Sequence, residues 1–190
     1  MRPANPQNRE KFIIAAINEI SAHGISDFSM RRVAENLSVS PGAPYKHFKG
    51  RSALILAVIK YMNEQWYLKQ SEIAKRPHKS LSECLVEISM EYVDFLCQNP
   101  VFQTVLLADD KLFTAEQLRE KSKISRGSQK LVDDYCREVG MNEQDRFRKT
   151  YAIRSFIYGA AFFMVSGSMP QNKSAKDAVR ACIEREFELP

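Results

Sequence analysis

The sequence predicts an all-α fold, because helical signals run through it and strand signals do not. Apolar residues recur at intervals of three and four over most of the 190 residues, as on the buried face of a helix. No Asn-Gly or Asp-Gly pair separates alternating apolar segments, so the usual turn signal of a β-hairpin is lacking. Capping and helix-breaking residues, such as Ser29, Gly24 and Pro77, divide the periodic segments into separate helices.

The first helix is predicted over residues 7–23. Phe12, Ala16 and Ile20 recur at i, i+4 spacing and form one apolar stripe. Gly24 follows the last residue of this pattern, and glycine is the favoured residue just beyond a helix C-terminus.

A short second helix is predicted over residues 30–37. Ser29 is a favourable N-cap, and the apolar residues behind it are spaced i, i+3, i+4, i+7. Residues 38–39 then form a tight turn.

A third short helix is predicted over residues 41–48, with Ser40 as its cap and Phe48 in the core. Pro41 is its first residue, where proline loses only a hydrogen bond that would be absent anyway. A supporting helix followed by two short helices around a tight turn is the layout of a helix-turn-helix unit. In such units the last helix enters the major groove of DNA.

The rest of the chain predicts a larger helical domain, so that residues 1–50 and 51–190 form two domains. Its helices are predicted over residues 51–75, 81–98, 101–109, 114–139, 143–167 and 174–187. Ser80 and Ser174 are the expected caps, and Gly127 is a point at which the 114–139 segment is broken.

The positive charge is concentrated at the N-terminus. Residues 1–55 contain eight lysines and arginines and four acids, which gives them +4 of the formal net charge of +5. A basic segment on a nearly neutral body favours binding to a polyanion. The alternative is that a small basic excess only aids solubility.

Several classes of protein are disfavoured. The four cysteines form no C-x-x-C pair, so no zinc-finger spacing exists, and we expect no metal and no cofactor. The longest apolar stretch, residues 155–166, is shorter than the roughly 20 residues that span a bilayer. Without a secretory signal at the N-terminus, we expect a cytoplasmic protein whose cysteines are core thiols. Because nucleotide-binding and hydrolase motifs are also missing, we do not expect an enzyme.

The segment at residues 41–48 has the chemistry of a DNA-reading element. Gly42 and Ala43 are small enough to let the backbone approach DNA closely. Tyr45, Lys46 and His47 follow, and hydroxyl and cationic side chains of this kind bond phosphates and base edges.

Residues 9–58 resemble the TetR family of transcriptional regulators. The residues that carry the resemblance are Ala15-Ala16, His23-Gly24, Phe28-Ser29-Met30-Arg31-Arg32-Val33-Ala34, Val39-Ser40-Pro41-Gly42-Ala43-Pro44-Tyr45-Lys46-His47-Phe48 and Arg51-Ser52-Ala53-Leu54. The sequence departs from the family at three places. Ser38 stands where glycine is usual, and this position favours a positive φ. Ala43-Pro44 stands where the family usually has a β-branched or aliphatic residue, as in a Gly-Ala-Pro-Tyr subset, and Arg51 replaces a lysine.

The resemblance implies a set of DNA-binding residues. Those expected to contact phosphates are Ser29, Tyr45, His47 and Arg51, with Arg31 and Arg32 as further anchors. Those expected to face the groove are Ser40, Pro41, Gly42, Ala43 and Lys46. Alternatives remain for some of them, since Tyr45 could pack between helices, His47 could be a structural strut, and the two arginines could lie on a solvated face.

The resemblance also implies a C-terminal domain that binds a small-molecule effector and forms a homodimer through its last helices. Trp66, Phe95, Phe102 and Phe162 are the candidate ligand-lining residues, although aromatic residues at helical spacing are more often plain core. The segment Tyr158-Gly159-Ala160-Ala161 is a candidate dimer contact, the alternative being packing within one subunit.

The function implied is that of a sequence-specific DNA-binding regulator. We expect a repressor that a ligand releases from a palindromic operator of double-stranded DNA. The alternative is a helical adaptor that binds a protein and does not respond to a ligand.

Overall fold

The structure is a computed structural model that describes residues 6–124 and 128–188, with side chains from residue 8 onward. Within these ranges the chain forms nine α-helices, two short 3-10 helices and no β-strand, which confirms the all-α prediction. The α-helices are α1 (Pro6–His23), α2 (Met30–Asn36), α3 (Arg51–Ala74), α4 (Leu81–Gln98), α5 (Pro100–Leu107), α6 (Ala115–Lys121), α7 (Gln129–Glu138), α8 (Glu143–Val165) and α9 (Lys173–Glu188). The 3-10 helices are Pro44–Lys46 and Asp110–Leu112.

Side-chain caps set the start of several helices. The Ser29 hydroxyl accepts a hydrogen bond from the Arg32 backbone amide at 3.4 Å, and Ser80 does the same for Glu83 at 3.1 Å, as predicted. The predicted cap of the last helix is wrong. Asn172 Oδ1 accepts from the Ala175 amide at 3.0 Å, so α9 begins before Ser174.

The predicted segment 114–139 forms two helices. At the start of α6, the Thr114 hydroxyl accepts from the Gln117 amide and the Gln117 side chain accepts from the Thr114 amide, which is a complete capping box. The expected break at Gly127 lies outside the described residues.

The chain divides into two compact units. Unit 1 comprises Met1–Gln65 and Pro100–Ile124. Its fully buried residues come from α1, α2, the first part of α3 and α5, and they include Ala16, Ile20, Val33, Ala34, Leu54, Ile59 and Val105. Gln117 of α6 donates a hydrogen bond to the Ser52 carbonyl at 2.8 Å, which holds α6 against the start of α3.

Unit 2 comprises Trp66–Asn99 and Ser125–Pro190. Its central helix is α4, which packs against α7, α8 and α9. Val93 and Leu96 of α4, Ala161 of α8 and Ile183 of α9 are fully buried. The predicted division into domains of residues 1–50 and 51–190 stays a prediction.

The cysteines are only partly core residues. Cys84 and Cys136 are buried and Cys97 is half-buried, but Cys182 is exposed. The core interpretation is therefore wrong for Cys182, because α9 turns Val179 and Ile183 inward and leaves Cys182 beside that stripe.

Across residues 6–124 and 128–188, no helix combines the length and apolar character that a membrane span needs.

Candidate nucleic-acid interface

The framework of the candidate site is the contact between α1 and α2. Ile20 of α1 and Val33 of α2 are fully buried, and Phe28 in the connecting loop is 5% exposed. Gly24 ends α1 at a φ of +74°, a left-handed conformation that glycine adopts without strain. The apolar residues of the predicted pattern are therefore buried, as predicted.

A buried carboxylate ties α1 to the start of α2. Glu19 is 1% exposed, and its Oε1 accepts from the Arg32 Nε at 2.6 Å and from the Ser29 backbone amide at 3.2 Å. Arg32 also donates to Asp27, and its hydrogen bond with Glu19 raises the pKa of the guanidinium above its ordinary value. Arg32 is therefore part of the scaffold, while the buried charge of Glu19 is compensated by its partners.

Arg31 lies on the exposed side of α2. Its Nε donates to Glu35 at 2.8 Å in an i, i+4 pair on the surface. Such exposed pairs contribute about 0.3–0.5 kcal/mol, so the guanidinium can readily exchange Glu35 for another anion.

The turn after α2 has the backbone geometry that the sequence suggested. The Val39 amide donates to the Ala34 carbonyl at 3.0 Å and the Ser38 amide donates to the Glu35 carbonyl at 2.9 Å, which is a Schellman motif. Ser38 occupies its left-handed position with a φ of +54°. The expected positive φ is thus confirmed at a residue that is not glycine.

The predicted α-helix over residues 41–48 is wrong. Residues 41–43 form a turn, and a single 3-10 turn follows at Pro44–Lys46. Pro44 has no amide hydrogen, so it cannot donate to the Ser40 carbonyl as an α-helix would require. The Ala43 amide donates to that carbonyl instead, at 2.9 Å.

The segment at residues 40–48 has buried side chains on one side and exposed side chains on the other. Pro44 and Phe48 are buried, which confirms Phe48 as a core residue. Tyr45 is 58% exposed, which contradicts the alternative that it packs between helices. The remaining exposed residues of the segment are Ser40, Pro41, Gly42 and Lys46, and Ala43 is half-buried.

The side chains of His47 and Arg51 are held in place by contacts within the protein. The half-buried ring of His47 lies 5.2 Å from Phe12 and 6.5 Å from Phe48, and its Nδ1 is buried without a hydrogen-bond partner, as in a structural strut. Arg51 donates to the carbonyl of Phe28 at 3.4 Å and to that of Ile25. Arg51 thereby fixes the loop between α1 and α2 against α3.

The candidate ligand residues are divided between the two units. Trp66 and Phe95 are buried in unit 2 with ring centroids 5.3 Å apart. Phe102 is buried on α5, within unit 1, and Phe162 is 52% exposed on α8. Their roles in ligand binding stay predictions, and the exposure of Phe162 suits a contact with a second chain better than an enclosed pocket.

Tyr92 and Gln70 are features that sequence reasoning did not select. The Tyr92 ring lies 4.5 Å from that of Trp66, and Gln70 is buried four residues after Trp66 on α3. A polar residue at helical spacing from a core tryptophan is the signal that would have found Gln70.

Part of the candidate dimer contact at Tyr158-Gly159-Ala160-Ala161 packs within one subunit, which was the alternative interpretation. Ala160 and Ala161 are buried within the protomer. The exposed apolar residues of α8 are Phe147, Tyr151, Phe162, Phe163 and Val165. Across the described residues, no three His, Cys, Asp or Glu side chains gather in a way that could hold a metal ion.

Comparisons with known proteins agree with this architecture. Residues 12–58 match the family of bacterial regulatory proteins called the tetR family. A comparison with curated protein sequences gives no match. The matched segment covers most of α1, α2, the 3-10 turn at Pro44–Lys46 and the start of α3, which are the elements of the site described above.

Several solved structures share the fold over nearly the whole chain. A TetR family transcription regulator from Marinobacter aquaeolei VT8 has a TM-score of 0.78 at 19% identity, with 98% of each chain covered. A TetR transcriptional regulator from Legionella pneumophila has a TM-score of 0.74 at 15% identity, covering 97% of this chain and 98% of its own. FadR from Bacillus subtilis, solved in complex with stearoyl-CoA, has a TM-score of 0.72 at 16% identity, covering 94% and 97%. Residues 12–58 thus match the N-terminal segment of the tetR family of bacterial regulatory proteins, and the fold is similar to that of TetR family regulators over 94–98% of the chain.

Proposed function

We propose that this protein is a cytoplasmic repressor that binds a palindromic DNA operator as a homodimer and leaves it when a small molecule binds unit 2. The observation that carries the proposal is the segment at residues 40–46. It exposes hydroxyl, cationic and small residues on a backbone that Pro44 and Phe48 anchor in the core. An exposed polar edge on a buried frame is what reading base edges requires.

The DNA contacts divide into two kinds. Lys46 and the small residues Pro41 and Gly42 are proposed to face the major groove, with Ser40 and Ala43 beside them. The proposed phosphate contacts are Ser29, Arg31, Tyr45, His47 and Arg51. The basic N-terminal segment supports this division, since phosphate neutralisation supplies much of the affinity and its salt dependence.

The homodimer is proposed to form through α8 and α9. Phe147 and Tyr151 lie one turn apart on α8, and they are 74% and 69% exposed. Phe162 and Phe163 are exposed toward the other end of the same helix. A row of exposed aromatic residues of this kind is typical of protein interfaces, and a two-fold interface would present two recognition segments to a palindrome.

The response to a ligand is proposed to be a shift between two conformers. Trp66, which begins unit 2, lies on α3, and α3 also contributes residues 51–65 to unit 1. A ligand with higher affinity for a conformer that does not fit the operator would lower DNA affinity by that difference. The FadR structure contains stearoyl-CoA, which supports a ligand site in this fold without identifying the ligand here.

The test of DNA binding is a gel-shift titration on duplexes selected by the wild-type protein from a random pool. We expect Tyr45→Ala and Lys46→Ala to fold normally and to bind the selected duplex at least about tenfold more weakly, the effect of losing about 1.4 kcal/mol. Lys130→Ala removes an exposed lysine of α7 and is the matched control, with unchanged affinity.

Two results would contradict the proposal. One is wild-type affinity in either variant, which would remove that residue from the interface. The other is a selection that enriches no sequence, with no salt-dependent binding to random duplex DNA, which would favour the protein-binding adaptor.

A further inference from the structure

Unit 2 contains buried polar atoms that no described group satisfies. Both polar atoms of the Gln70 side-chain amide and the hydroxyl oxygen of Tyr92 are buried without a hydrogen-bond partner. Gln70 is 4% exposed and Tyr92 is 8% exposed. An unsatisfied buried group costs about 1–3 kcal/mol, and most buried polar groups in folded proteins are hydrogen-bonded. Two such side chains in one core therefore call for a partner.

These groups belong to an aromatic cluster. Gln70 follows Trp66 by four residues on α3, so the two side chains share one face of that helix. The Trp66 ring contacts Tyr92 and Phe95 of α4, with centroids 4.5 and 5.3 Å apart. Tyr92 also meets Tyr158 of α8 edge to face at 6.1 Å. Three helices of unit 2 thus contribute to the surroundings of the unsatisfied atoms.

The cluster suits an uncharged partner. Burial, followed by the neighbouring Tyr158 hydroxyl, strongly raises the pKa of the Tyr92 hydroxyl and outweighs the opposing effect of Arg154, so these surroundings disfavour a negative charge on that oxygen. The Gln70 amide offers a donor and an acceptor, and the Tyr92 hydroxyl offers both as well. The rings of Trp66, Tyr92 and Phe95 favour a flat, apolar body stacked or edge-on against them.

We propose that Gln70 and Tyr92 are the polar contacts of the effector site, and that it takes an uncharged aromatic molecule carrying a hydrogen-bond donor and an acceptor. Trp66, Phe95 and Tyr158 form the apolar wall of this site. The inference rests on the proposed function only for its regulatory consequence, because binding itself can be measured without DNA. An ordered water molecule is the other partner that could satisfy these atoms.

The site contains its own reporter. Trp66 is the single tryptophan of the chain, so its fluorescence reports on this cluster without background. Four probes of one ring size separate the chemical requirements: benzamide, toluene, benzoate and benzylammonium. We expect benzamide to change Trp66 emission saturably, and to bind at least about tenfold more tightly than the other three, because each lacks a hydrogen bond or carries a charge. Equal binding of benzoate or benzylammonium, or no response to any probe, would overturn the proposal.

Two variants test the named contacts. Gln70→Leu and Tyr92→Phe keep the side-chain size and remove the polar groups, so each should weaken benzamide binding about tenfold and leave toluene binding unchanged. Gln144→Leu, at an exposed glutamine of α8, is the matched control and should bind benzamide as wild type does. Unchanged benzamide affinity in Gln70→Leu would show that the amide does not contact the ligand.

Thermal unfolding distinguishes a ligand site from a water site. Without a probe, Gln70→Leu should melt at a higher temperature than wild type, because the unsatisfied amide is gone. Benzamide should raise the melting temperature of wild type more than that of the variant. A lower melting temperature in Gln70→Leu, with equal benzamide shifts in both proteins, would indicate a structural amide and contradict the proposal.

A failure of the proposed DNA response would give a different result from a failure of the ligand site. If benzamide binds at Trp66 but leaves the affinity for the selected duplex unchanged, the site stands and the DNA response is wrong. If the protein binds no DNA while the Trp66 titration behaves as expected, the site again stands and the proposed function fails.

Discussion

Ser38 holds a backbone conformation that helix ends usually leave to glycine. Its φ of +54° places the Cβ close to the following carbonyl, which costs about 1–2 kcal/mol in an L-residue. The Schellman hydrogen bonds from Ser38 and Val39 keep the residue there. The strain lies in the turn immediately before the proposed DNA-reading segment.

This strain predicts that Ser38→Gly stabilises the protein. We expect the free energy of unfolding to rise by about 0.5–1 kcal/mol, since the greater freedom of glycine in the unfolded chain offsets part of the relief. Urea denaturation at neutral pH measures it. Ser40→Gly is the control, because Ser40 has no positive φ and glycine should leave stability equal or lower there. Equal effects of the two changes would mean that Ser38 is unstrained.

Glu87 connects α4 to the loop that follows α3. Its carboxylate accepts from Arg76 and lies 2.9 Å from His78 Nε2. Partial burial acts to raise the pKa of Glu87, but hydrogen bonds from His78 and Arg76 outweigh it and lower the pKa below its ordinary value. The ionised form is therefore the one that the folded protein favours.

A lowered carboxyl pKa gives a definite dependence of stability on pH. The contribution of Glu87 is present above the pKa of the unfolded chain and is lost as pH falls through the folded value. Glu87→Gln should thus be less stable than wild type at neutral pH, and the difference should shrink toward about pH 3, below the ordinary carboxyl range. Urea denaturation across this range measures it, with the exposed Glu72→Gln as control. A difference that does not change with pH would contradict the assignment.

At the scale of elements, the limits of α1, α2 and α4 were predictable because their signals are local. Ser29, Ser80 and Gly24 cap or end these helices through contacts within a few residues of themselves. The same reasoning failed at Ser174, where Asn172 caps first. Two equally good caps stand two residues apart, and propensity does not choose between them.

The segment at residues 41–48 was predicted as the wrong type of element. Pro41 is favourable for a helix start, but Pro44 removes the amide that an α-helix would need next. The conformation that results depends on burial of Pro44 and Phe48, which a sequence pattern does not establish. The residues of this segment that are expected to reach DNA are nevertheless exposed, except for half-buried His47 and Ala43.

At the scale of the whole molecule, α8 carries apolar area that the protomer does not cover. Tyr151 and Phe162 are both more than half exposed on it. Because a two-fold dimer buries the same surface on both chains, a charge placed there would be buried twice in the interface. The sequence indicated a dimer through small residues, whereas the exposed surface consists of large aromatic ones.

This surface predicts that Tyr151→Asp or Phe162→Asp gives a monomer. Sedimentation at micromolar concentration should show a dimer for wild type and about a tenfold or greater loss of dimer affinity in either variant, from two desolvated carboxylates per interface. Tyr67→Asp makes the same change at an exposed tyrosine of α3 and should remain dimeric. A wild-type protein that sediments as a monomer would rule out the interface.

The two-unit packing and the polar core of unit 2 could not be predicted. Grouping of residues 100–124 with unit 1 depends on long-range contacts such as Gln117 with Ser52, which no local pattern encodes. Helical periodicity likewise indicates that Gln70 faces inward, but it does not show whether the side-chain amide has a hydrogen-bond partner. Trp66 and Phe95 were selected by residue type, while the polar half of the cluster required the packed core.

The 3-10 turn at Pro44–Lys46 has a consequence for how this protein can change over generations. Tyr45 and Lys46 do not sit in a regular helix, so substitutions there meet no demand for helix propensity. The backbone of the segment is held by Pro44 and Phe48, whose side chains are buried and separate from the exposed edge. Under the proposed function, operator preference can therefore drift or be redesigned at the exposed positions while the scaffold stays intact, which is a favourable arrangement for evolving new binding specificities from one stable fold.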